Sequence, residues 1–309
     1  MKILVFGSNG LVGSAIKRLL TNDHHHDKYT TYFSTRNDTD LLSLESTSRT
    51  IENFNPDVII NAAAKVGGIL ANNTDRYEFI SKNLKINLNI FDSCVEKNNL
   101  KIINLGSSCI YPLNAKNPIK EDYIMSGKLE PTNSPYAMAK LSAIELGNSF
   151  KTNFGNTVIN LMPTNLYGPN DNFSENESHV IPGLISRMSN AKKNNEKIFE
   201  VWGTGKPLRE FLYVDDLAKA ILFVLQNNIE AELINVGSNE EISIKELVLI
   251  IKKIIGFNGK IVFNTYYPDG NPRKLLDSTK IFKLGWKPET GLENGLQNTY
   301  DWYLKNFKP

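Results

Sequence analysis

Cysteine is almost absent: Cys94 and Cys109 are the only two in 309 residues. Two thiols cannot build a disulfide framework, which fits a reducing compartment. No apolar run reaches the ~18 residues of a membrane span. Nor does a basic-then-apolar leader precede the first apolar segment at Lys2. Net charge is small: 35 Lys and Arg against 33 Asp and Glu leave +2. No basic stretch is long enough to suggest nucleic acid or an anionic membrane surface. Of four histidines, three form His24-His25-His26. Consecutive imidazoles in a loop do not converge on one ion, so the tract reads as a surface turn and no metal is expected. These absences, with 41% hydrophobic and 22% charged residues, leave a cytoplasmic globular protein. Its length suits one large core or two modest domains.

The first half reads as a nucleotide-binding sheet. Lys2-Ile3-Leu4-Val5-Phe6 is a short apolar run of the kind a buried parallel strand has. It leads into Gly7-Ser8-Asn9-Gly10-Leu11-Val12-Gly13 and then a helical pattern of Ala15, Ile16, Leu19 and Leu20. Glycines so spaced between strand and helix permit a tight turn, close approach to a pyrophosphate, and a helix N-terminus aimed at the anion. The second strand, 29–33, ends in Ser34-Thr35-Arg36 without a carboxylate at the turn, where an NAD site usually carries one. Arg36 can pair with a 2′-phosphate, which favours NADP(H); the alternative is a solvated loop residue. Further buried strands are expected at 57–61, 101–106 and 158–162, and a late one at 233–236, with a long helix over 75–98. Its apolar stripe of Ile80, Leu84, Leu88, Phe91 and Val95 reads as core more readily than as interface.

Tyr136 and Lys140, in Ser134-Pro135-Tyr136-Ala137-Met138-Ala139-Lys140, stand four apart and share one helix face. An ammonium beside a phenol favours the phenolate, which otherwise forms near pH ~10. The pair is equally at home on an ordinary helix surface. Ser107 follows the strand 101–106, at the end where open α/β sheets place their chemistry, and can bond the same carbonyl oxygen as Tyr136.

These strings resemble the extended short-chain dehydrogenase/reductases and, within them, the GDP-L-fucose synthase family. The closer likeness rests on Ala62-Ala63-Ala64-Lys65-Val66-Gly67-Gly68-Ile69, Gly106-Ser107-Ser108-Cys109-Ile110-Tyr111-Pro112 and Glu130-Pro131-Thr132. Met162 to Pro169, Ser178-His179-Val180-Ile181-Pro182 and Pro207-Leu208-Arg209-Glu210-Phe211 carry it through the second half. The resemblance implies conversion of GDP-4-keto-6-deoxy-D-mannose to GDP-L-fucose, by epimerising C3 and C5 and then reducing C4 with NADPH. It implies cofactor contacts at residues 7–13, Arg36, Asp40, Leu41, Ala63, Leu105, Gly106, Ser107 and Ser108. Further contacts fall at Tyr136, Lys140, Pro163, Asn165, Leu166 and His179, and a homodimer is implied as well. Asn9 is a departure, because the family often has a basic residue within the glycine loop to help hold the cofactor phosphate; more of that task passes to Arg36.

Inverting a carbon beside a ketone needs a base on one face and an acid on the other. Cys109 and His179 are the candidates, since a thiol near ~8.5 and an imidazole near ~6.5 bracket neutral pH. Ordinary alternatives are a buried small hydrophobe and a helix cap. Together with Ser107, Tyr136 and Lys140 they complete the expected catalytic set.

The expected architecture is α/β: a Rossmann-type doubly wound parallel sheet at 1–165, with returns near 210–240, and a smaller C-terminal α/β substrate lobe at 166–309. For the GDP-sugar, the resemblance points to Arg187, Trp202, Arg209, Asp269 and Lys274. Arginines can fork onto phosphate oxygens, a Trp offers a flat face, and a carboxylate can accept from ribose. Asp215-Asp216 reads as a helix N-cap pair rather than a metal site. Rival readings are a related 4-epimerase or 4,6-dehydratase, which tends to carry an acidic pair where Cys109-Ile110 stands, and a non-catalytic NADP-binding sensor, which commonly lacks the Tyr or Lys.

Overall fold

The computed structural model describes residues 1–22, 28–174, 177–227, 229, 231–267 and 269–307, so the histidine tract lies outside the described residues. The chain begins β1 (Lys2–Phe6), α1 (Leu11–Leu20), β2 (Thr30–Ser34), α2 (Leu44–Phe54), β3 (Val58–Asn61), α3 (Ile69–Thr74) and α4 (Arg76–Asp92). There follow β4 (Lys101–Leu105), α5 (Ser134–Phe154), β5 (Thr157–Pro163), β6 (Asn165–Tyr167), α6 (Val180–Lys193), β7 (Ile198–Trp202) and β8 (Leu208–Tyr213). The last part is α7 (Val214–Gln226), β9 (Leu233–Val236), β10 (Glu241–Ser243), α8 (Ile244–Ile255), β11 (Lys260–Asn264), β12 (Arg273–Lys274), α9 (Thr279–Lys283) and α10 (Leu292–Asn306).

Six parallel strands form the main sheet in the order β2-β1-β3-β4-β5-β9. Alternation on β1 decides which helices cover which face. Ile3 and Val5 pack with Ala15 and Ile16 of α1 and Leu217 and Ile221 of α7. Leu4 and Phe6 face Ile51 of α2, Ile86 and Ile90 of α4 and Phe150 of α5. Both faces are thereby covered, which is the doubly wound arrangement and the reason the inner strands β1, β3, β4 and β5 are buried and mostly apolar. Strand order reverses between β1 and β3, and open α/β sheets bind their ligands beyond the strand ends at such a switch point.

The chain after β5 builds a second core around α6, α8 and α10, from residues such as Leu184, Met188, Leu247, Ile251, Leu296 and Tyr300. β8 is its organising strand: β10 pairs it antiparallel, while β6 and β12 pair it in parallel. β7 and β11 form a separate parallel pair.

Two expectations change. The helix from 75 stops at Asp92, because Cys94 turns its N–H to the Phe91 carbonyl at 2.9 Å and buries its side chain. Its buried face is Phe79, Asn83, Ile86, Asn87, Ile90 and Phe91; of the expected stripe only Phe91 is buried, while Leu88 and Val95 are exposed. The N-cap of α7 is Tyr213, not the acidic pair. Asp215 instead meets Arg18, and Asp216 accepts from the Thr290 N–H at 2.8 Å and its hydroxyl at 3.2 Å. The stretch after Pro163 holds the short strand β6, because Asn165 to Tyr167 find ladder partners in Phe211 to Tyr213.

Candidate active site

The turn after β1 is shaped for a pyrophosphate. Gly7 has φ +77° and lies so close to Ala62 and Ala63, at the end of β3, that a Cβ would approach Ala62 within 2.8 Å. Gly13 packs on the turn itself: its Cβ would stand 2.1 Å from the Gly7 oxygen. Gly10, the N-cap of α1, meets only the Gly7 oxygen at 3.5 Å and has no side-chain cap. The three glycines thus serve the turn, the open approach and the helix packing, and bare N–H groups face that opening. Leu11 and Val12 are half-buried in the core behind them, and Asn9 is exposed. Ser8 ties the turn to β2 through its hydroxyl and N–H, both on the Ser34 carbonyl at 3.0 and 3.2 Å.

Arg36 and Asp40 are exposed just beyond β2, and the Leu41 carbonyl accepts from Asn89 at 2.9 Å. Asp38 is the nearby carboxylate that the sequence reading passed over. It accepts from the Thr35 N–H at 2.8 Å and the Thr35 hydroxyl at 2.6 Å, which lower its pKa. Engaged there, it leaves Arg36 as the charged side chain next to β2 suited to a 2′-phosphate. The residues therefore fit an NADP-type dinucleotide.

Ser107, Cys109, Tyr136 and Lys140 converge beyond β4. The Ser107 oxygen accepts from the Cys109 N–H at 3.3 Å, which leaves its own hydrogen to donate. Ser108 and Cys109 are buried in a single 3-10 turn, Ser108–Ile110. Gly106 in front of them has no space for a side chain, since a Cβ would overlap Met162. Lys140 donates to the Leu105 carbonyl at 2.6 Å, with its nitrogen 5.7 Å from the centre of the Tyr136 ring. Burial lowers Lys140 to about 8. Burial, with Cys109 beside it, pushes the Tyr136 phenol up. Tyr136 thus rests as a neutral phenol, able to donate its proton. Burial also raises the Cys109 thiol, while the cations Lys274 and Lys140 and the Ser107 hydroxyl pull it back.

His179 is the N-cap of α6, without a side-chain cap bond of its own. Its imidazole keeps an open side to solvent yet sits deep enough for desolvation to lower its pKa. The end of β3 runs beside this segment: Gly68 N–H donates to the Glu177 carbonyl at 2.9 Å. Ala63 N–H is held by Asn61 at 3.1 Å; Pro163 closes β5, Asn165 donates to the Glu210 carbonyl at 2.8 Å, and Leu166 packs on the main core.

Of the five residues expected to hold the sugar nucleotide, Arg187, Trp202, Arg209 and Lys274 lie on α6, β7, β8 and β12, and Asp269 lies between β11 and β12. Lys274 stands opposite Arg209 in the β12–β8 register. Burial lowers both cations. Arg209 spends one nitrogen on the Leu208 and Asn271 carbonyls, at 2.8 and 2.5 Å. Arg187 lies over Phe199 and Trp202, 5.2 and 5.5 Å from the ring centres. Asp269 accepts from the Thr204 N–H at 2.8 Å and hydroxyl at 2.6 Å, leaving only its remaining lone pairs for a ligand. Tyr267 was missed: it stacks on the exposed Trp202 at 4.6 Å and 20°. The signal was an aromatic pair, Tyr266-Tyr267, in an otherwise polar turn.

Residues 3–237 match the model of the NAD dependent epimerase/dehydratase family. GDP-L-fucose synthase 1 of Arabidopsis thaliana is 46% identical over 305 residues, covering 99% of this chain and 94% of the plant protein. GDP-L-fucose synthase of Escherichia coli is 42% identical over 314 residues, covering 99% and 97%. Among solved structures, a GDP-L-fucose synthetase from Naegleria fowleri bound to NADP superimposes with a TM-score of 0.90 at 30% identity, covering 99% and 95%. A glycine turn open to a dinucleotide, a Ser-Cys-Tyr-Lys group beyond β4 and end-to-end likeness agree: the chain belongs to the GDP-L-fucose synthases of the NAD dependent epimerase/dehydratase family.

Proposed function

We propose that the chain converts GDP-4-keto-6-deoxy-D-mannose to GDP-L-fucose, epimerising C3 and C5 and then reducing C4. The observation that carries this reading is the buried Cys109 thiol sharing one environment with Tyr136, Lys140 and Lys274. A plain reductase needs the phenol and the lysine; it has no use for a thiol held among cations. Ser107 and Tyr136 donate to the C4 carbonyl oxygen and stabilise the enolate that forms when a proton leaves C3 or C5. Cys109 and His179 exchange that proton from opposite faces; both start uncharged, and Lys274 and Lys140 bring the thiolate within reach. Tyr136 then delivers its proton to the C4 oxygen, and its raised pKa suits that donor role. NADPH, when bound across the glycine turn, supplies the hydride for C4. Lys140 holds the charge balance beside the phenol.

The division of labour follows the fold. Residues 1–165, with returns near 210–240, serve the dinucleotide, and 166–309 mainly the GDP-sugar, through Arg187, Trp202, Arg209, Asp269 and Lys274. A homodimer through the long helices follows from the family likeness, and Tyr77 and Leu88 are exposed large apolar side chains on α4. Incubation with GDP-4-keto-6-deoxy-D-mannose and NADPH should lower the nicotinamide absorbance, with solvent deuterium appearing at C3 and C5. Oxidation without deuterium would reduce the protein to a C4 reductase, and no oxidation would favour a sensor.

A further inference from the structure

We propose that Asn72 is a positioning residue, which sets His179 through the Gly67-Gly68 turn. The inference rests on the reading of His179 as a proton-transfer group. Asn72 lies on α3 and is 6% exposed. Both hydrogens of its Nδ2 are used on the turn, on the Gly67 carbonyl at 2.7 Å and the Gly68 carbonyl at 3.0 Å. The turn in its own right grips the approach to α6: Gly68 N–H donates to the Glu177 carbonyl at 2.9 Å. A Cβ on Gly68 would stand 2.7 Å from the Ser178 oxygen, so backbone lies directly on backbone. His179 is the next residue.

The same turn is tied to the other side of the site. A Cβ on Gly67 would meet the Phe79 ring at 3.1 Å, and Phe79 places its ring edge-on to Tyr136, with centres 6.3 Å apart and planes at 84°. A continuous path of contacts therefore runs from Tyr136 through Phe79 and the turn to His179. Asn72 is the side chain that holds the middle of it. The Oδ1 of Asn72 is buried without a donor. An unsatisfied buried acceptor costs stability, so the residue is held for its two donated bonds and not as a neutral filler. Misplacing a catalytic group by about 1 Å can cost on the order of 100-fold in rate, which is the leverage such a ruler has.

The test is a double-mutant cycle read by solvent deuterium entering C3 and C5 of GDP-4-keto-6-deoxy-D-mannose, with NADP+ bound. Asn72→Asp keeps the shape and removes the donors. It should slow exchange about 10- to 100-fold while the NADPH dissociation constant stays within about twofold. In a His179→Ala background the same change should add less than about twofold, because a group already absent cannot be misplaced. Gly68→Ala strikes the same link from its other end and should behave likewise if Asn72→Asp folds poorly. Wild-type exchange in both variants, or a full multiplicative loss on top of His179→Ala, would overturn the inference. Wild-type exchange in His179→Ala alone would remove the reading of His179 beneath it.

Discussion

Replacing Asp171 by Asn should flatten the pH dependence of folding stability. Asp171 is 8% exposed on the loop after β6; its Oδ1 accepts from the Asn172 N–H at 2.8 Å, and its Oδ2 is buried without a donor. Burial raises its carboxyl from 3.8 to about 7. The unfolded chain has already ionised this group at pH 5, whereas the folded chain still holds the proton. Stability from Asp171 is therefore present at low pH and is lost as pH climbs through about 7. From pH 5 to about 7, at about 1.36 kcal/mol per pH unit, the loss is about 2.7 kcal/mol. Asn cannot ionise, so the variant escapes that loss. Its unpaired amide costs the same at every pH and cancels when each protein is compared with itself. The assay is urea unfolding of both proteins at pH 5 and pH 8. The fall in stability between the two should be smaller in Asp171→Asn by about 2–3 kcal/mol. Equal falls in the two proteins would show that Asp171 ionises normally and would refute the reasoning.

Cys109→Ser should keep NADPH binding, measured by fluorescence titration, and lose most turnover, because a hydroxyl does not ionise where the thiol can; an unchanged rate would remove Cys109 from the mechanism. Tyr136→Phe should lower NADPH oxidation by about 100-fold or more without weakening cofactor binding. Lys140 is charged below about 8 and neutral above it, so kcat/KM for reduction should fall on the alkaline side of that value, and Lys140→Arg should move the limb to higher pH. Gly10→Ala should fold, with only the Gly7 oxygen 3.5 Å from its Cβ, yet lose NADPH affinity, whereas Gly13→Ala should lose stability, its Cβ being driven to 2.1 Å from the Gly7 oxygen. Melting curves with and without cofactor separate those two effects.

What the sequence by itself determined is local. The glycine spacing, the strand run Lys2–Phe6, the four-residue separation of Tyr136 and Lys140, and even the late strand Leu233–Val236 were legible, because turn conformation and strand or helix period act over a few residues. The family strings carried Cys109, His179 and the nucleotide contacts, which periodicity alone would have left among core residues and surface charges. Only the tertiary structure decided quantities that depend on distant neighbours. Desolvation raises Tyr136 and lowers Lys140, since burial is a sum over packed segments that no spacing encodes. The Trp202–Tyr267 stack, the Lys274–Arg209 register and the ties from Asn72 to the approach of His179 join residues far apart in the chain. Asp216 turned to Thr290 for the same reason: a buried carboxylate takes the donor that folding brings, wherever that donor lies in the chain.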